Sequence, residues 1–67
     1  MSDFKVGDRV RILPGVAPPF VGMDGTICEI RLHDQAIETM ARHFVVFSRR
    51  EKRSFYGPEL MLIQKSK

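Results

Sequence analysis

Cysteine is nearly absent: Cys28 is the only one in 67 residues. A lone thiol closes no internal disulfide, and without a second cysteine there is no cluster to hold zinc or an iron–sulfur centre. Long apolar runs are missing as well. None exceeds four residues, as in Phe44-Val45-Val46-Phe47, far below the roughly 20 that a membrane-spanning helix needs. No basic-then-apolar leader opens the chain, so the expectation is a soluble, cytoplasmic protein that does not engage a membrane.

The residues of catalysis are equally thin. His33 and His43 have no carboxylate or cysteine at a metal-binding spacing. No Ser-His-Asp or Cys-His arrangement can be drawn, and no glycine loop stands between a strand and a helix to cradle phosphate. Asp8, Asp24 and Glu59 fall where turns need acceptors for backbone amides. The reading is therefore not an enzyme: no catalytic, cofactor-binding or metal-ligating residue is assigned, no cofactor is called for, and no small-molecule substrate is expected.

What is present is one domain over residues 1–67, with a polar tail at 64–67 expected to fray. A chain this short buries only about 60% of the surface that its unfolded form exposes, so it depends on its core or on a partner. Its charge is uneven. Residues 49–53 hold Arg49, Arg50, Lys52 and Arg53 against Glu51, a net +3 equal to the excess of the whole chain. That is a basic loop on an otherwise neutral protein, suited to phosphates, to an acidic protein surface, or simply to solvent at a hairpin tip.

Strand signals run through the chain. Val6, Val10 and Ile12 alternate with Arg9 and Arg11, the period of a strand with one wet face. Leu13-Pro14-Gly15 ends that strand, and the prolines of 14–21, with Pro18 and Pro19 before Phe20, make a stiff, extended loop. Asp24-Gly25 reads as a tight turn leading into a second strand over 26–32. Ile27 and Ile30 are three apart, so a bulge near Cys28-Glu29 is needed to bring both into one core. Cys28, inside this apolar strand, reads as a buried small hydrophobe.

Residues 33–42 show no alternation, and Ile37, Met40 and Ala41 form a weak helical face of two turns at most, so a long loop with a possible helical turn is expected. Strand three spans 43–47 with Val45 and Phe47 inward. Phe44 and Val46 then point the other way, which is more apolar than a wet face requires, and something should cover them: the 33–42 loop or another chain. Residues 49–53 form the next hairpin tip, 54–56 the fourth strand with Phe55 inward, 57–60 a tight turn, and 61–63 a short closing strand. The fold class is all-β, a small five-stranded antiparallel SH3-like barrel.

Two families resemble this pattern. The segment from Phe4-Lys5-Val6-Gly7-Asp8-Arg9-Val10-Arg11-Ile12 through Gly25-Thr26-Ile27-Cys28-Glu29-Ile30 resembles a KOW motif of the kind in ribosomal proteins and the C-terminal domain of NusG, with a proline-rich insertion where such motifs are commonly shorter. Val6-Gly7-Asp8-Arg9-Val10-Arg11, Gly22-Met23-Asp24-Gly25, Val45, Phe47, Phe55, Glu59, Leu60, Leu62 and Ile63 are similar, over nearly the whole chain, to the variable chain of ferredoxin–thioredoxin reductase. The second resemblance implies an electron-transport accessory barrel that carries no cofactor and braces a catalytic chain. The first implies a module that binds RNA, a ribosome or a transcription complex. The type II dihydrofolate reductases are also barrels of this size, with a segment resembling Tyr56-Gly57-Pro58, but their active-site run is missing here.

The leading expectation is a non-catalytic accessory domain docked on a larger protein, such as a redox enzyme subunit, through Pro18, Pro19, Phe20, Phe44 and Val46. The rival is an RNA-binding module with Arg49, Arg50, Lys52 and Arg53 on phosphates and Phe20 or Tyr56 stacked on a base.

Overall fold

A computed structural model describes residues 4–15, 20–31 and 41–66. It is all-β. Strands β1 (Arg9–Ile12), β2 (Asp24–Arg31), β3 (Arg42–Phe47), β4 (Lys52–Tyr56) and β5 (Leu60–Gln64) form one antiparallel sheet in the order β4-β3-β2-β1-β5. A 3-10 turn, Gly57–Glu59, joins β4 to β5. Its Pro58 needs no amide partner at the first helical positions, and the Glu59 carboxylate accepts from the Tyr56 amide at 2.7 Å.

The core follows from the alternation of the strands. Val10 and Ile12 of β1, Ile27 of β2, Val45 and Phe47 of β3, Phe55 of β4 and Leu60 of β5 are buried in one cluster, with Phe4, Phe20, Met23 and Ile30 packed against it. Each such aliphatic or aromatic side chain contributes about 1.5–3 kcal/mol when fully removed from water. Phe20, Phe47 and Phe55 form an aromatic group: Phe20 stacks on Phe47 at 5.6 Å and meets Phe55 edge-on at 5.9 Å. His43, on the same side of β3 as Val45 and Phe47, is 1% exposed. Its Nδ1 lies 2.9 Å from the Ala41 carbonyl, which can only accept, so the ring proton sits there.

The β2 bulge appears where the spacing of Ile27 and Ile30 requires it: the β2–β3 register shifts between Ile27 and Glu29, with Ile27 opposite Val45 and Glu29 opposite Phe44. Ile27 is buried and Ile30 half-buried against the core. The bulge also overturns the expectation for Cys28, which is exposed, its thiol donating to the Phe44 carbonyl at 3.3 Å. A strand with an extra residue must turn one side chain away from the core, and Ile27 and Ile30 claim the inward positions.

Three local expectations are corrected. Asp24-Gly25 does not form the turn; both residues already lie in β2, opposite Arg11 and Val10. The turn comes earlier, at Val21-Gly22, where Gly22 has φ +81. Gly25 is a glycine for want of space: a Cβ there would lie 2.5 Å from Val45 Cγ1 and 2.8 Å from the Val46 carbonyl oxygen. Asp24 instead pairs across the strands with Arg11 at 2.7 Å.

The basic hairpin is also shorter than 49–53. Phe47 and Glu51 close it, the Phe47 amide donating to the Glu51 carbonyl and the Arg50 amide to the Phe47 carbonyl, both at 2.9 Å. Lys52 and Arg53 already belong to β4. Nor does the chain fray from residue 64: Gln64 completes β5, and the Ser66 amide donates to Asp8 Oδ1 at 2.7 Å. The 33–42 expectation falls largely on residues 32–40, outside the described residues; Ala41 is buried and Arg42 opens β3.

Candidate functional site

The site is the face of β2, β3 and β4 that turns away from the core. Successive side chains of a strand alternate sides, and since His43, Val45 and Phe47 are buried, Arg42, Phe44 and Val46 occupy the opposite side of β3. Registration supplies the rest. Phe44 lies between Glu29 and Ser54, Val46 between Thr26 and Lys52, and Arg42 between Arg31 and Tyr56. The centre of the face is therefore apolar, with Phe44 and Val46 half-buried, and its margin is cationic.

The margin is ordered by the aromatic rings. The Arg31 guanidinium lies over Phe44 at 5.2 Å from the ring centre, and that of Arg42 over Tyr56 at 5.4 Å. Each contact is attractive through the ring quadrupole, by about 0.5–1 kcal/mol where solvent reaches it. Arg42 also donates to Ser54 Oγ at 3.0 Å, and Arg31 pairs with Glu29. Among the described residues of these three strands, Arg31, Arg42 and Lys52 share the face with two carboxylates, Glu29 and Asp24, the latter paired with Arg11 of β1. The β3–β4 loop at one end of these strands adds Arg49 and Arg50 against Glu51.

The structure redistributes the residues proposed from sequence. Phe44 and Val46 from the apolar set share one face with Lys52 and Tyr56 from the basic set. Phe20 does not join them; it packs on the core side, and Arg53 crosses its ring there at 5.7 Å. A half-buried ring covered in this way is packing, since Phe20 fills the aromatic group with Phe47 and Phe55. Arg49 and Arg50 stay in the loop. Pro18 and Pro19 lie outside the described residues.

No protein family, no curated protein and no solved structure matches this chain. The site's reading rests on its own geometry.

Arg31 and Arg42 join the face without having been expected there, although the sequence carries a signal for them. Arg42 stands two residues before Phe44 and four before Val46, the spacing of one strand face, and Arg31 ends the strand that pairs with it. Among the described residues, no group of histidine, cysteine or carboxylate side chains is placed to hold a metal ion, and no helix is long and apolar enough to cross a membrane. The face offers apolar and aromatic area beside guanidinium donors, and aromatic residues and arginine are enriched at protein interfaces.

Proposed function

We propose that the chain is a non-catalytic SH3-like barrel module that docks on an acidic surface of a larger protein through the outer face of β2, β3 and β4. The observation that carries this reading is the pair Phe44 and Val46, half-buried apolar side chains at the centre of a face whose margin, among the described residues, sets Arg31, Arg42 and Lys52 against Glu29 and Asp24, with Asp24 already paired to Arg11. A central apolar patch inside a polar rim is the anatomy of a protein-binding surface, and the rim charge selects an acidic partner and speeds encounter. The resemblance to electron-transport accessory barrels makes a redox enzyme subunit the first class of partner to examine.

The strand contacts also support a second reading. Guanidinium groups poised over Phe44 and Tyr56 are the elements of a stacking platform for single-stranded RNA, with Lys52, Arg49 and Arg50 available to phosphates.

One experiment separates the two. The full chain, tagged and purified from its native extract, is expected to retain one polypeptide in constant ratio and to lose it on Phe44→Asp, with the circular dichroism of the variant unchanged. Recovery of RNA alone would overturn the protein reading. A salt titration of that RNA complex with a log–log slope of about −2, as three phosphate contacts on a single strand give, would establish the rival.

A further inference from the structure

We propose that Arg31 and Arg42 together form a seat for one carboxylate side chain of the partner protein, which supplies the acid that this part of the sheet leaves out. The inference rests on the docking reading above and names the group that the face receives. Arg31 of β2 and Arg42 of β3 stand directly opposite each other, and both lie on the outer side, since the adjacent pair, Ile30 and His43, turns toward the core. Like charges directly opposite on a sheet repel each other and weaken the pairing.

The two guanidiniums are compensated unequally. Arg31 donates through Nε to the Glu29 carboxylate. Arg42 donates through an Nη to the Ser54 hydroxyl at 3.0 Å and, among the described residues, meets no carboxylate. Asp24, the other acid on this side of the sheet, is paired with Arg11 and also feels the charge of Arg9. Two guanidiniums against Glu29 alone leave a single positive charge in excess, which one further carboxylate neutralises.

The donors are also arranged in advance. A guanidinium is a planar fork of N–H groups that grips a carboxylate through two parallel hydrogen bonds, and Arg42 has most of its fork uncommitted among the described residues. Both forks are held by rings: Arg31 lies 5.2 Å from the centre of Phe44, and Arg42 lies 5.4 Å from that of Tyr56. A long side chain already ordered in this way loses less freedom when it binds. Arg31 shows the preferred ligand within the chain itself, because the group it holds is a carboxylate. Phe44 follows Arg42 by two residues on the same side of β3, so an acidic side chain seated on Arg42 brings its apolar neighbours over the centre of the face.

Titration of the full chain with a blocked tetraglutamate peptide, followed by NMR of the arginine Nε–H signals, tests this. The Arg42 and Arg31 signals are expected to move most, with a dissociation constant on the order of 1 mM. Arg42→Lys keeps the charge and removes the fork, and it should weaken binding by about fivefold or more, as should Arg31→Lys. Arg9→Lys, on β1 outside the seat, should leave binding unchanged. All three positions are exposed, and circular dichroism confirms that each variant is folded. Undiminished binding by Arg42→Lys, or equal losses for Arg42→Lys and Arg9→Lys, would show a diffuse basic surface and overturn the seat. Tighter binding of oligouridylate than of the peptide, lost on Arg42→Lys, would overturn it in favour of a phosphate. The docking face is judged separately, by release of the native partner on Phe44→Asp, so the seat can fail while the face stands.

Discussion

Arg50 is the residue whose identity its own conformation does not explain. It has φ +63, the left-handed region, at the third position of a three-residue hairpin loop. That position is ordinarily glycine or asparagine, because a side chain there crowds the following carbonyl. Backbone preference alone selects against an arginine there, and this supports a role for its charge in the docking proposed above. Arg50→Gly is expected to raise stability by up to about 1 kcal/mol in urea unfolding, with a higher midpoint and an unchanged slope. On the docking proposed above, the same variant weakens binding to an acidic partner. A gain in stability with undiminished binding would show that the loop charge is not part of the docking surface.

Among the elements, β2 shows most clearly how a sequence pattern constrains and then escapes. The three-residue spacing of Ile27 and Ile30 demanded a bulge, and the bulge is there. Its effect on Cys28 was not legible, because an apolar strand offers no sign of which residue the bulge ejects until register with β3 is known. Cys28 should therefore react with a thiol reagent in the native protein at nearly the rate of the urea-unfolded chain. Protection of a hundredfold or more, on the order expected if access required global opening, would place it in the core after all. β3 was read well: Val45 and Phe47 lie inward and Phe44 and Val46 outward, since strict alternation leaves no second choice. The hairpin after it is shorter than its charge run suggests. Charge runs mark what is wet and say little about where a strand resumes, and Lys52 and Arg53 fit an edge strand as readily as a loop.

At the scale of the whole molecule, one carboxylate ties the two ends of the described chain together. Asp8 is 3% exposed; Oδ2 accepts from the Lys5 amide at 2.9 Å, and Oδ1 accepts from the Ser66 amide, 58 residues away in sequence. Desolvation is the largest single influence on this carboxyl and opposes its ionisation. The hydrogen bonds from Ser66 and Lys5, aided by the Lys5 charge, together outweigh it and hold the group below the ordinary 3.8. A carboxyl depressed in the folded state adds stability at pH values above its unfolded pKa, and that stability is lost as pH falls through the lower, folded value. Urea midpoints measured against pH should thus drop on acidification below about 4, and Asp8→Asn should flatten that drop. Asp8→Ala should cost about 1–3 kcal/mol at neutral pH, because two amides lose their acceptor. An acid profile unchanged by Asp8→Asn would assign the sensitivity elsewhere.

The sequence by itself determined the class of fold and most of the inward set; Val6, read with Val10 and Ile12, lies before β1 and is exposed, as is Cys28. Apolar residues at a period of two, broken by glycine and proline, can satisfy backbone hydrogen bonds and bury one face only as short antiparallel strands. It also marked Phe44, Val46, Lys52 and Tyr56 as residues in need of an explanation. Tertiary structure alone decided that these four share one face with Arg31 and Arg42, that Phe20 belongs to the core, and that Gly25 is required by the approach of Val45 and the Val46 carbonyl. Those are relations between strands. They depend on register, and a single strand's residues do not carry their neighbour's register within them.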